Sequence, residues 1–200
     1  MTIWFTSDFH IGHANILKYC PNRPWANIRD MDEALIEEWA YKVAPADTVY
    51  FLGDLTLDRS PQISRSILNQ LPGDIKIVTG NHDRGIRKMV SQEMVPDHVT
   101  VLGDSPVKIQ CEGKNLVLWH YPIQEWPGMA HQGTAGEEES PLDGRWHLHG
   151  HSHGHAGYRA ARLDVGWDTE NRMLTWDDVK KIINVQYQAV LFQRSSQYAV

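Results

Sequence analysis

The chain has 200 residues, 42% of them hydrophobic and 22% charged, with a formal net charge of -6. That length suits a single domain over 1–200 with a substantial core, and the composition is ordinary for a soluble globular protein. The acidic balance weighs against strong non-specific nucleic-acid binding, which relies on basic patches that release counterions, and no apolar run is long enough to cross a bilayer, so no membrane partner is expected.

The N-terminus, Met1-Thr2-Ile3-Trp4-Phe5, lacks the basic region and cleavage site of a signal peptide. Two cysteines, Cys20 and Cys111, make no disulfide framework and suit a reducing cytoplasm. Thr2 to Ser7 reads as a strand that runs into Asp8-Phe9-His10. Asp30 is placed to cap a helix to about Val43, with Glu33 completing a capping box and Met31, Ala34, Leu35 and Trp39 at helical spacing. Thr48 to Leu52 is a strand ending in Gly53-Asp54. Ser60-Pro61 opens a second helix with Ile63, Ile67 and Leu71 on one face, and Pro72-Gly73 stops it. Ile75 to Thr79 is a strand ending in Gly80-Asn81-His82-Asp83, and Asn115 to Trp119 is a strand ending in His120.

Residues 128–144 hold Gly133, Gly136, Glu137-Glu138-Glu139 and Pro141 without periodicity. They read as a mobile surface loop, solvated filler in preference to an active-site lid. Trp146 to His149 is a short strand ending in Gly150-His151-Ser152-His153. Asp164-Val165-Gly166-Trp167-Asp168 reads as strand and turn; Asp164 or Asp168 either approaches the site or is a turn carboxylate, the second reading being preferred. Thr175 caps a third helix carrying Val179, Ile182 and Ile183, and Val185 to Phe192 alternates like a late strand. Strands alternating with helices make the class α/β.

Each polar cluster follows the carboxyl end of a strand. In open α/β sheets those ends converge on one crevice, where ligands bind. Asp8, His10, Asp54, Asn81, His120, His151 and His153 are therefore expected to meet in space. Carboxylate, imidazole and amide oxygen together suit divalent Mn, Fe, Zn or Ni, whereas a structural zinc site favours cysteines and needs only four ligands. Seven ligands fit two ions sharing a carboxylate, with positions left for water and substrate; such pairs, about 3.5–4 Å apart, clamp both sides of an in-line displacement.

Asp8-Phe9-His10, Gly53-Asp54, Gly80-Asn81-His82-Asp83, His120 and Gly150-His151-Ser152-His153 resemble the signature of the calcineurin-like metallophosphoesterases, all in family order. The opening Trp4-Phe5-Thr6-Ser7-Asp8-Phe9-His10-Ile11-Gly12-His13-Ala14-Asn15-Ile16 resembles a small bacterial and phage subgroup, as do Asn22-Arg23-Pro24-Trp25 and Tyr121-Pro122. The resemblance implies two facing mixed β-sheets flanked by helices, the four-layer sandwich of that family. It implies one metal on Asp8, His10, Asp54 and His153, and another on Asp54, Asn81, His120 and His151, with Asp54 bridging. It implies attack by a metal-bridging hydroxide, with His82 beside the substrate as acid or charge stabiliser. Manganese is the first expectation for both ions, with Fe, Zn, Ni or Co as alternatives. The chain departs from the phosphoprotein phosphatase branch: Leu57 stands where that branch has the Asp of an Asp-Arg pair, and Asp58-Arg59 comes one residue late. Asp83 or Asp58 is left to orient His82.

The remaining candidates carry two readings each. His13 is either a support for a metal ligand or a helix-start contact. His147 and His149 face into a sheet, with His149 able to support a ligand. Arg23 either holds a substrate phosphate through its bidentate fork or makes a surface ion pair. Trp25, Tyr121 and Trp126 either wall a base-binding cleft or belong to the core. The expected substrate is a phosphorylated small molecule or nucleotide, with phosphodiesters ahead of phosphomonoesters and phosphoproteins. A non-catalytic scaffold on the same fold is the rival reading, and a histidine-rich metal buffer a third. The retention of all seven ligand positions and of His82 speaks against the scaffold.

Overall fold

The computed structural model describes residues 1–123, 146–156 and 161–197, with only the backbone described for 187–197. Residues 128–144 and Trp126 lie outside the described residues. Nine strands run in chain order among the described residues: β1 (Ile3–Thr6), β2 (Thr48–Phe51), β3 (Asp74–Val78), β4 (Val99–Gly103), β5 (Val107–Cys111), β6 (Lys114–Leu118), β7 (Trp146–His149), β8 (Arg162–Asp164) and β9 (Leu174–Thr175). The helices are α1 (Ile16–Tyr19), α2 (Ile28–Lys42), α3 (Pro61–Leu68), α4 (Arg84–Ser91), α5 (Trp167–Glu170) and α6 (Trp176–Gln197).

The strands form two sheets, in the orders β4-β3-β2-β1-β9 and β5-β6-β7-β8. Both are mixed. β1 to β4 pair in parallel and β9 joins β1 antiparallel; β6, β7 and β8 are parallel, with β5 antiparallel on the edge. The period-2 alternation of the strands sorts their side chains into two cores. Val49, Phe51, Ile75 and Ile77 face one way and pack with Met31, Leu35, Trp39 of α2, Ile67 of α3 and Ile86, Met89 of α4. Phe5, Leu52 and Val78 face the other way and meet Leu116, Leu118, Leu148 and Leu163 of the second sheet, with Val179 and Ile183 of α6. The architecture is therefore two facing mixed sheets flanked by helices, as expected, and it brings the carboxyl ends of β1, β2, β3, β6 and β7 to one crevice.

Several local expectations change. Helix α2 begins earlier: Asn27, not Asp30, is the cap, and its side chain accepts the Asp30 N–H at 3.0 Å. Asp30 instead sits in the first turn, where its charge complements the helix dipole. In α3, Ser60 caps as expected and Ile67 is buried, but Ile63 is 45% exposed. The stretch Val185 to Phe192 is helix, not strand, because α6 continues through it. Its start at Thr175 is strongly capped, and no Gly or Pro interrupts residues 176–197. β4, α4 and β5 were not read from the sequence. None of the described helices is long and apolar enough to cross a membrane.

Candidate metal centre

The loop after β1 carries Asp8 and His10 on either side of Phe9. Phe9 is fully buried, edge-on to Trp39 and Phe51, so its flanking residues are turned toward the crevice. Asp8 and His10 take left-handed backbone conformations, with φ of 60° and 54°. Asp54, His151 and His153 do the same, at 60°, 67° and 46°. Non-glycine residues avoid this region, and strain of this kind concentrates at functional sites. Backbone hydrogen bonds hold the conformation: Asp8 N–H to Gly53 O at 2.9 Å, His10 N–H to Asp54 O at 3.0 Å, and Ile11 N–H to Leu55 O at 2.9 Å.

Asp8 Oδ2 accepts from Ser7 Oγ at 2.6 Å and from His151 N–H at 2.9 Å. Among the described residues its Oδ1 is buried without a partner, as are both ring nitrogens of His10. His10 Nε2 lies 3.7 Å from that orphaned oxygen and 3.8 Å from Asp54 Oδ2. Buried polar atoms are rarely left unpaired. A carboxylate oxygen and an imidazole nitrogen facing one gap are the donors a divalent cation takes.

Asp54 is the hub. Its Oδ1 accepts from His82 N–H at 2.8 Å. Its Oδ2 lies 3.5 Å from His120 Nε2 and 3.9 Å from His82 Nε2, as well as near His10. His120 is fully buried, with Nδ1 2.8 Å from the Leu52 carbonyl and Nε2 3.0 Å from Asn81 Oδ1. The Leu52 contact calls for a proton on Nδ1, so Nε2 is the nitrogen that would bind a cation in the crevice, on giving up its own proton. The packing explains the glycines of the motifs. A Cβ at Gly80 would strike Asp54 Oδ1 and the His120 ring, and one at Gly150 would strike Ser7 Oγ and Asp8 Oδ2.

Six of the seven candidates fall into two groups whose ligand atoms lie within 4.8 Å of one another, Asp8, His10 and His153, and Asp54, His120 and His151; a third such group, Cys20, His153 and Asp168, shares His153 with the first. The field favours positive charge between the first two groups. Burial opposes ionisation of Asp8 and Asp54, but the surrounding histidines outweigh it and hold both carboxyls below their ordinary values. Burial lowers His120, yet Asp54 and Asp8 push it up to about 9. The residues present thus fit divalent cations in charge, donor type and orphaned atoms.

The surrounding residues depart from expectation. Asp83 does not reach the His82 ring. It is fully buried, and its two oxygens accept the backbone N–H groups of Asp54, Leu55 and Gly80 at 2.7–2.9 Å. Burial, then the charge of Asp54, raises its carboxyl to about 6. Its work is to clamp the loop that carries Asp54 to the loop that carries Asn81. Asp58 likewise turns to a neighbouring backbone N–H, that of Ser60 at 2.7 Å. Arg23 makes an ion pair rather than a phosphate contact, but a buried one and not the surface pair expected: it is 4% exposed and paired with Asp168. Trp25 packs on Trp167, with ring centroids 4.8 Å apart, and joins the helix-side core, not a cleft wall. Tyr121 does flank the centre, its ring 4.9 Å from that of His120 and 4.8 Å from that of His151.

His13 is half-buried, with its ring 5.7 Å from His10 and its carbonyl accepting the first N–H of α1 at 3.0 Å. Buried His147 spans the Val117 and Tyr121 carbonyls, and buried His149 lies 2.8 Å from the Gly150 carbonyl in the turn before His151. The residue that sequence reasoning ranks too low is Asp168, where the turn-carboxylate reading is preferred to an approach to the site. Its Oδ2 lies 2.6 Å from His153 Nδ1. Burial lowers the His153 ring, but this hydrogen bond lifts it to about 10. The available signal was the Asp164-Val165-Gly166-Trp167-Asp168 stretch directly after a strand.

Comparison with known proteins agrees with this geometry. An uncharacterized protein of Methanocaldococcus jannaschii is 34% identical over 152 residues, covering 76% of this chain and 69% of its own. The Gene 66 protein of Mycobacterium phage D29 is 28% identical over 196 residues, covering 91% and 96%. A crystal structure of a protein of unknown function from Aquifex aeolicus superposes with a TM-score of 0.65 over 90% of this chain and 98% of that one; at 20% identity it speaks for the fold alone. The calcineurin-like phosphoesterase superfamily domain matches residues 1–165. With that match over most of its length, the chain belongs to the calcineurin-like phosphoesterase superfamily, a membership that implies metal-dependent phosphoester hydrolysis.

Proposed function

We propose that this protein is a dinuclear phosphoesterase, a single-domain cytoplasmic hydrolase of phosphodiester or nucleotide-type substrates. The observation that carries the reading is the position of Asp54 Oδ2, within 4 Å of imidazole nitrogens from both donor groups. Asp8, His10, Asp54 and His153 would hold one ion, and Asp54, Asn81, His120 and His151 the other, with manganese the first candidate. When bound, such a pair supplies charge neutralisation and an activated water for in-line displacement at phosphorus.

The chain's own residues supply the rest. His82 is 42% exposed on its side chain and lies at the rim, 3.9 Å from Asp54 Oδ2. From there its ring reaches an oxygen of a docked phosphate, to stabilise charge or to protonate the leaving group. Its backbone N–H, bound to Asp54 Oδ1, keeps it in register with the centre. Tyr121 offers an aromatic face beside His151 for a base or other flat leaving group. The missing Asp-Arg spacing after Asp54 supports a substrate other than phosphoprotein.

Two measurements test the reading. Elemental analysis after saturation with Mn²⁺ and desalting should return about two ions per chain. The ratio of kcat/KM for bis-nitrophenyl phosphate and nitrophenyl phosphate tests the substrate class. A monoester preference above about tenfold, on the ~1.4 kcal/mol scale that a decade represents, would overturn the diesterase assignment while leaving the phosphoesterase assignment in place.

A further inference from the structure

Arg23 is a buried cation that the proposed chemistry does not use. Each of its five N–H groups has an acceptor. Nε and Nη2 fork onto Asp168 Oδ1 and Oδ2 at 2.6 and 2.8 Å. Nη2 also donates to the Asp8 carbonyl at 2.6 Å, and Nη1 to the Phe9 carbonyl at 2.9 Å and Met31 Sδ at 3.2 Å. Asp168 in turn receives His153 Nδ1 at 2.6 Å, with Cys20 Sγ beside the same nitrogen at 3.4 Å. The Asn22 side chain donates to the Asp168 carbonyl at 2.6 Å, and the Trp167 ring lies over the Arg23 guanidinium at 5.8 Å.

One ion pair therefore touches both ends of one donor group. Its cationic side holds the carbonyls of Asp8 and Phe9, in the strained turn where Asp8 and His10 have positive φ. Its anionic side holds the imidazole of His153, which reaches the group from a loop of the second sheet. Burying an ion pair is costly, and well-packed apolar residues of similar volume often stabilise a fold as well or better. Orientation is what apolar residues cannot supply. A carboxylate accepting from one ring nitrogen dictates where the other points its lone pair.

We propose that Arg23 and Asp168 are positioning residues for the Asp8, His10 and His153 group. Asp168 accepts a hydrogen bond from the His153 Nδ1–H, so that Nε2 is the nitrogen directed at the position a cation would share with Asp8 and His10, and the one that binds once the cation displaces its proton. Arg23 anchors Asp168 and pins the two carbonyls that keep the Asp8–His10 turn left-handed. The proposal rests on the dinuclear reading above, and it makes the two ions unequal in their dependence on this pair.

The test uses the full chain, Mn²⁺ titration calorimetry and nitrogen-detected NMR of the histidine rings in chelator-treated protein. In the wild type, His153 Nδ1 should be protonated and hydrogen-bonded. Asp168→Ala should weaken one Mn²⁺ by about 10–100-fold, the usual cost of losing such an outer partner, while the other ion keeps its affinity. Asp168→Asn, which retains an acceptor oxygen, should recover part of the loss. The proposal is overturned if the wild-type Nδ1 is bare, if Asp168→Ala keeps both affinities, or if it loses both ions equally. Should Asp168→Ala not fold, the wild-type ring signal and Asp168→Asn still decide. A wild type that takes up fewer than two ions would instead defeat the dinuclear reading, leaving the Nδ1 measurement to judge the hydrogen bond on its own.

Discussion

At the scale of single residues, two side chains divide the work. Asp54 Oδ2 faces His10 and His120 at 3.8 and 3.5 Å, so on the proposed dinuclear reading one carboxylate would neutralise charge between two cations. Asp54→Asn keeps the shape and removes the charge. It should abolish hydrolysis and weaken both ions together, as measured by metal content after desalting; loss of a single ion would show that Asp54 is a terminal ligand. His82 is different, because no donor group needs its ring. His82→Ala should keep both ions and lose rate by about 10²–10⁴-fold, the range for a positioned acid. The loss should shrink for substrates with acidic leaving groups, which need little protonation. Rates across leaving groups of graded pKa would check this, and a uniform loss would mean charge stabilisation rather than proton donation.

At the scale of elements, the site is built from strand ends and the helices keep those strands in place. Helix α6 is the clearest case. Thr175 Oγ1 accepts the Asp178 N–H at 3.2 Å, and Asp178 Oδ2 accepts the Thr175 N–H at 3.0 Å. This reciprocal capping box joins the helix to β9, the strand that pairs with β1, and Arg172 adds a 2.9 Å contact to the same carboxylate. Thr175→Ala should cost about 1 kcal/mol of stability by loss of a cap, read from urea unfolding, with hydrolysis unchanged in the folded protein. A loss of activity without a loss of stability would place Thr175 in the chemistry, against the geometry. The cap was legible in the sequence. The length of α6 was not, because Val185 to Phe192 satisfies both a period of two and a helical face, and only continuation from a capped start chooses between them.

At the scale of the whole molecule, the crevice gathers the candidate ligands from both sheets, so on the proposed reading metal binding and folding would be linked. Asp8, His10, Asp54 and Asn81 come from the first sheet, and His120, His151 and His153 from the second. A cation bound across the two stabilises the native state alone. Saturating Mn²⁺ at about 100 times its Kd should add ~2.7 kcal/mol per ion, and chelation should remove it. Thermal unfolding with and without chelator checks this, and an unchanged midpoint would mean that the ions bind a site too loose to couple the sheets.

The local sequence by itself determined the α/β class, the strand ends and the seven candidate ligands. Those features are local: short β-branched runs stopped by Gly, with Asp, Asn or His directly after them, carry the same meaning wherever the strand lies. Resemblance to the bacterial and phage subgroup also drew attention to Asn22-Arg23-Pro24-Trp25. The local sequence did not determine where Arg23 points, because that depends on Asp168, 145 residues away. Nor did it show that Asp83 would spend both oxygens on backbone N–H groups rather than on the adjacent His82. Trp25 and Tyr121 were indistinguishable as aromatic residues near motifs, until packing put one against Trp167 and the other against His120 and His151. Composition and periodicity report which face of an element is apolar; the partner a buried polar group finds is decided only when distant segments close on each other, since a hydrogen bond or ion pair is made by position and not by residue type.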